Sequence, residues 1–190
     1  AGKETKLADA ERQAAKPMRA AEPLESLLKI ERLVLEVGHK LAPLISEAAG
    51  APLVNRIGAL RRQMVTDLGF ILPGVVFRDD QRLRPSDSYV LYLKGVPVAR
   101  GEARPDQVLA VDGGAVTRRL DGKSAREPSL GLPAVWLPAD QREAALAAGY
   151  SVADAATVVA THVISVLRRN AAELLTREAV AELLATHKET

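Results

Sequence analysis

The residues able to carry chemistry in this chain are a few histidines, aspartates and paired glycines, and each group lacks the companions its chemistry needs. His162 stands beside Thr161, a pairing that would suit a hydroxyl and its base. No G-x-S-x-G elbow surrounds a serine, so the pair is not read as a catalytic one. His39 has no second histidine close by in sequence and reads as a surface or capping residue. Asp79, Asp80 and Asp87 suggest a cation loop. They lack the oxygen-ligand order and closing glutamate of an EF-hand, so ordinary loop acidity explains them better. Asp112-Gly113-Gly114 is a turn rather than a phosphate cradle, since no G-x-G-x-x-G and no following Lys-Ser/Thr accompany it. Cysteine is absent, which excludes disulfides, thiol catalysis and thiolate-held zinc. That absence also fits a reducing compartment. The expectation is a binding protein: not an enzyme, with no cofactor and no metal.

Composition sets the remaining bounds. The chain has 190 residues, 47% hydrophobic and 26% charged, ordinary values for a soluble globular protein. Aromatic residues make up only 3%, so the core must be built mainly from Leu, Val, Ile and Ala. The net charge of +2 and pI near 9.0 reflect a small basic excess. Nucleic-acid binding calls for a clustered basic face, so none is expected here. No run approaches the roughly 20 apolar residues of a membrane span, and no signal segment opens the chain.

The elements that must position any binding surface follow in order. Residues 1–25 alternate charge and alanine, with Pro17 and Pro23 as breaks; they have too little apolar surface to offset ordering and read as linker. A β-branched run stopped by Gly38 predicts a strand at 32–37. Leu53, Ile57, Leu60, Met64 and Leu68 recur at three and four, which predicts one apolar face of a helix over 53–68. A strand is expected at 75–77, and a hairpin around Lys94-Gly95. Short strands at 108–111 and 115–120, separated by glycine turns, suggest a small β-rich insert.

From Arg126 to Arg177 the chain is most informative. Pro133 and Pro138 flank an extended run holding the only tryptophan, Trp136, which reads as core. Asp140 is the expected N-cap of a helix over 141–148 that Gly149 stops. Asp154 is the expected cap of a longer helix over 155–169, with Arg168 and Arg169 at its negative end. Thr157, Thr161 and Ser165 make a hydroxyl stripe on that helix. Such a stripe is either bonded back to its own carbonyls or the floor of a shallow groove. The amphipathic segment over 171–190, with Leu174, Leu175, Ala179, Leu183 and Leu184, lacks a partner, and the chain looks cut short.

Four blocks taken together resemble the flagellar and type III secretion export-gate family (the FHIPEP family). They are RIGALRRQMVTDLGFILPGVVFRDD, YVLYLKGVPVARGE, EPSLGLPAVW and AGYSVADAATVVATHVISVLRRNAAELLTREAVAELL. The resemblance spans about residues 33–184. It implies a mixed α+β fold from the cytoplasmic part of an integral inner-membrane protein: an α/β subdomain interrupted by a small β-rich inserted subdomain, then the start of a helical one. The implied limits are 1–30 linker, 31–105 plus 155–175 first subdomain, 106–154 insert, and 176–190 a truncated third. The family implies a homo-nonameric ring for the whole protein, with this piece monomeric.

The implied partners are export chaperones, secreted substrates and other export-apparatus components. In flagellar members, substrate–chaperone complexes dock between the first two subdomains. Matching motifs place that site at Glu127 and Leu130 of EPSLG, Ala153 of GYSVAD and Thr161 of VATH. The family often has Asp-Pro-x-Phe where this chain has Glu-Pro-Ser-Leu, and valine where it has Ala153, which implies a shallower, less aromatic pocket. The alternatives are plain interdomain packing at these positions, a structural ring element without docking, or the virulence-type system in place of the flagellar one.

Overall fold

In the computed structural model, residues 31–68 and 73–174 are described. The expected linker, the stop at Gly69 and the expected third subdomain lie outside the described residues. Strand β1 (Leu33–Val37) leads through two 3-10 turns into α1 (Pro52–Leu68), then β2 (Val76–Asp79), β3 (Ser88–Leu93) and β4 (Val96–Glu102). Next come β5 (Gln107–Val111), β6 (Lys123–Arg126), β7 (Pro133–Pro138), α2 (Arg142–Ala147) and β8 (Ser151–Asp154). Helix α3 (Ala155–Arg169) and the short α4 (Ala171–Leu174) close the described chain. The fold is mixed α+β, as expected.

The first sheet has the order β2-β1-β3-β4. Strands β1 and β2 are parallel, which obliges the chain to cross over between them, and α1 makes that crossover. Leu33, Leu35 and Val37 are fully buried and Val34 nearly so, the mark of a strand covered on both faces. At the β3–β4 hairpin, Lys94 and Gly95 have φ of 51° and 81°. Two successive left-handed residues give the turn whose twist matches the strands it joins.

The second sheet, in the order β6-β7-β5-β8, is wholly antiparallel. Alternate side chains of its central strands serve different cores, as the two-residue period of a strand dictates. Leu109 and Trp136, opposite one another in register, join the cluster formed by the first sheet and α3. Val108, Ala110, Val135 and Leu137 pack on the other face with Ala145, Ala148 and Tyr150. Trp136 is therefore core, as read.

Two local expectations fail. Residues 115–120 form no strand; the edge strand is β6, at 123–126, paired with β7. The backbone groups of 115–120 are committed elsewhere. Thr117 N–H donates to Ala148 O at 2.9 Å, and Leu120 N–H donates to the Tyr150 hydroxyl at 3.4 Å. Nor does Asp140 cap α2. A 3-10 turn over Ala139–Gln141 takes up the first turn, and Gln141 holds the cap position without a side-chain bond.

Asp154 does cap α3, its Oδ1 accepting from Thr157 N–H and Thr157 Oγ1, each at 2.7 Å. Arg56 of α1 reaches the same pair, bonding to Thr157 Oγ1 and lying 3.7 Å from the Asp154 carboxylate. Burial pushes the Asp154 carboxyl up, but the two Thr157 bonds and Arg56 outweigh it and hold it below its usual value. A carboxyl depressed on folding stabilises the fold above its unfolded value and loses that contribution as pH falls through the folded one.

Gly149 stops α2 at φ 90°, and a Cβ there would collide with the carbonyl oxygen of Ala115. Gly149→Ala is expected to lower unfolding free energy by about 2 kcal/mol in urea titrations. Gly113→Ala, at an ordinary φ with open space around it, is the neutral control. Asp154→Ala should cost about 1 kcal/mol. Asp154→Asn should keep the cap yet soften the loss of stability below the ordinary carboxylate value of 3.8, read as Tm against pH.

Candidate functional site

Glu127 and Leu130 lie on the loop between β6 and β7, Ala153 on β8, and Thr161 on α3. All four line one depression of about 450 Å³. Its floor is apolar: Leu109 and Val111 from β5, with Val158 and Ile164 from α3. Hydroxyls and charges rim it through Thr161, Ser165, Glu127 and Arg168. The residues named from sequence thus come from three separate elements to one place.

Leu130 stands at the lip, is 78% exposed, and its backbone is held there. Glu127 does the holding. Its Oε1 accepts from Ser129 N–H at 2.9 Å and its Oε2 from Leu130 N–H at 2.7 Å. Its own backbone closes the loop, accepting from Gly131 N–H at 2.8 Å and donating to Leu132 O at 2.9 Å. Gly131 turns the chain at φ 73°, and Arg126 donates to its carbonyl at 3.0 Å. Glu127 is consequently a positioning residue: the carboxylate binds the loop backbone and presents Leu130.

The hydroxyl stripe on α3 lines the depression, though not bonded back to helix carbonyls. Thr157 spends its hydroxyl on Asp154, and Ser165 Oγ accepts from Arg169 at 2.9 Å. Thr161 is exposed between them. Sequence reasoning missed Leu109, Val111, Ile164 and Arg168. For the last two, the spacing from Thr157 and Thr161 on one helix face was the available signal; for the β5 residues there was none.

His162 points away from any catalytic arrangement. It is buried, and its Nδ1 shares a 2.9 Å hydrogen bond with the Tyr89 hydroxyl. Burial and the Arg169 charge hold the imidazole below its ordinary pKa, partly offset by Glu127, so it is neutral near pH 7. Burial likewise pushes the Tyr89 phenol up. Gly101 makes the room, since a Cβ there would strike the Tyr89 ring and hydroxyl. Of the three aspartates, Asp79 ends strand β2, Asp80 accepts from Arg82 at 2.9 and 3.0 Å, and Asp87 lies 4.0 Å from Arg104. Among the described residues no group of three or more acidic or histidine side chains could hold a metal ion. No helix among them is long and apolar enough to cross a membrane.

Comparison with known proteins gives a consistent result. Residues 1–190 match the FHIPEP family. Flagellar biosynthesis protein FlhA of Helicobacter pylori is 35% identical over 161 residues, covering 85% of this chain and 22% of that protein. FlhA of Caulobacter vibrioides is 37% identical over 187 residues, covering 97% of this chain and 26% of that protein. The chain therefore spans about a quarter of the length of these curated relatives. The solved Chlamydia pneumoniae CdsV and CdsO complex shares the fold, with TM-score 0.68 at 21% identity over 85% of this chain and 51% of that one.

Glu127→Ala should free the loop at a cost of about 1 kcal/mol. Amide hydrogen exchange at Ser129 and Leu130 is expected to quicken, while that of β1 stays slow. Glu127→Gln, which keeps one acceptor oxygen, should fall between.

Proposed function

The chain belongs to the FHIPEP family, and from that premise we propose that it is the part of an export gate's cytoplasmic domain that docks substrate–chaperone complexes for translocation. One observation carries the reading. Glu127, Leu130, Ala153 and Thr161, drawn from three elements, line a single apolar depression with Leu130 held out at its lip. An exposed leucine fixed by a carboxylate staple beside a concave apolar floor suits the apolar face of a partner helix. The rim charges would fix orientation more than affinity. Leucine and alanine, in place of bulkier side chains, make a shallow seat that favours transient docking over permanent assembly.

The division into subdomains belongs to the same proposal: 31–105 with 155–175 as the parent unit, and 106–154 as the insert. It is supported by the second sheet, all of whose strands come from residues 107–154. On this reading the depression lies where insert and parent meet. Higher identity to the flagellar relatives than to CdsV supports the flagellar system. The whole protein would carry this domain on the cytoplasmic face of the bacterial inner membrane, as a ring of nine copies.

Leu130→Asp tests the reading. Because the side chain is exposed, Tm and circular dichroism should be unchanged, while titration calorimetry with a flagellar chaperone–substrate complex should show affinity falling at least roughly tenfold. Unchanged affinity would remove Leu130 from the docking surface.

A further inference from the structure

A second cleft, of about 630 Å³, lies on the other side of the segment that carries Leu130. Arg126 and Pro128 line this cleft, whereas Glu127, Ser129 and Leu130 line the apolar depression. The floor is Leu109, Val158 and Trp136, so the two cavities stand back to back across shared core residues. The rim is different in kind. Arg84, Arg100, Arg104, Lys123 and Arg126 converge on it, and Glu102 is the one carboxylate lining it.

This positive excess is only partly neutralised within the described residues. Arg104 lies 4.0 Å from Asp87. Arg84 donates to the carbonyls of Gln81 and Leu83, and Arg126 to that of Gly131, bonds that leave the charges in place. Among the described residues no carboxylate lies within ion-pair distance of Arg100 or Lys123. The chain as a whole has 26 basic and 24 acidic residues, so such convergence departs from a mixed solvated surface. Like charges gathered in a concave site raise one another's energy and that of the local potential, which an anion relieves.

Backbone geometry narrows the ligand. Strand β4 is the edge of the first sheet and β6 the edge of the second, and both line this cleft. An edge strand offers unpaired N–H and C=O groups at the spacing of another strand. An extended peptide can answer both the N–H and the C=O groups in alternation, whereas an ionised phosphate can only accept from the N–H groups. Of the two edges, β6 is the better template: all of Lys123–Arg126 lines the cleft, whereas β4 contains Pro97. The nucleic-acid alternative would also want a stacking face, and Trp136 is only 5% exposed.

We propose that this cleft is a second docking site, which takes an extended acidic peptide segment alongside β6. Its carboxylates meet Arg100, Lys123 and Arg126, and its alternate apolar side chains meet the floor. The site is separate from the apolar depression and does not rest on the function proposed for it. A partner with an acidic tail and an apolar helix would engage both, gaining from the higher effective concentration of the second contact.

The test uses the 190-residue chain and a fluorescein-labelled peptide alternating Glu and Val, followed by anisotropy. Trp136, the only tryptophan, reports occupancy locally. Binding should weaken steeply with salt and change Trp136 emission. In the double variant Arg100→Glu/Lys123→Glu it should fall roughly tenfold or more with Tm unchanged, both side chains being exposed. Leu130→Asp should leave it intact. Unaltered binding in the double variant would overturn the proposal, as would loss of binding in Leu130→Asp. Equal competition by pyrophosphate, an RNA oligonucleotide or anionic vesicles would also overturn it, identifying a general anion patch.

Discussion

Helix α3 lies against β4 of the first sheet and against β5 and β8 of the second, with α1 packed beside it. Contact on so many sides leaves only a narrow polar face, the stripe of Thr157, Thr161, Ser165 and Arg168. Ala155, Ala156, Val158, Val159, Ala160, Val163, Ile164, Val166 and Leu167 are all buried. Small and β-branched residues predominate because two sheets and a helix must approach closely. A helix in this position needs its ends settled, and the Asp154 cap does that at one end. The same cap reaches α1 through Thr157 and Arg56, so the crossover helix and the central helix start from a common point.

Both cavities follow from that packing. Val158 contributes to each, and Leu109 of β5 does the same from the sheet opposite. Helix α3 touches strands of both sheets, and side chains of each sheet share its core. The loop over residues 127–132 borders the depression and is tied together by bonds to Glu127. Apolar surface is therefore left exposed at Leu130 on a fixed backbone. A fixed apolar projection lowers the ordering cost of binding compared with a mobile one.

Local signals made much of this legible. The buried run of β1, the three-and-four spacing of α1, the Lys94-Gly95 turn and the Asp154 cap are each written within a few consecutive residues. The failures share a cause. At 115–120 the alternation looked like a strand, but Thr117 and Leu120 bond to Ala148 and Tyr150, some thirty positions along. Residues 123–126 carry little apolar alternation and become a strand because β7 offers them a register. The Tyr89–His162 bond depends on the space left by Gly101, and no periodicity links those three positions. The proposed docking residues were read from likeness to a family; the bonds that Glu127 makes to its loop had no signal in the sequence.

The central claim is that the apolar depression beside α3 is a preformed seat for a partner. Backbone amide chemical-shift mapping during titration with a flagellar chaperone–substrate complex tests it most directly. The account predicts perturbations at the amides of Ser129, Leu130, Ala153 and Thr161, with β2 unaffected. Perturbations confined to β2 and the exposed face of α1, with those four amides unmoved, would contradict it.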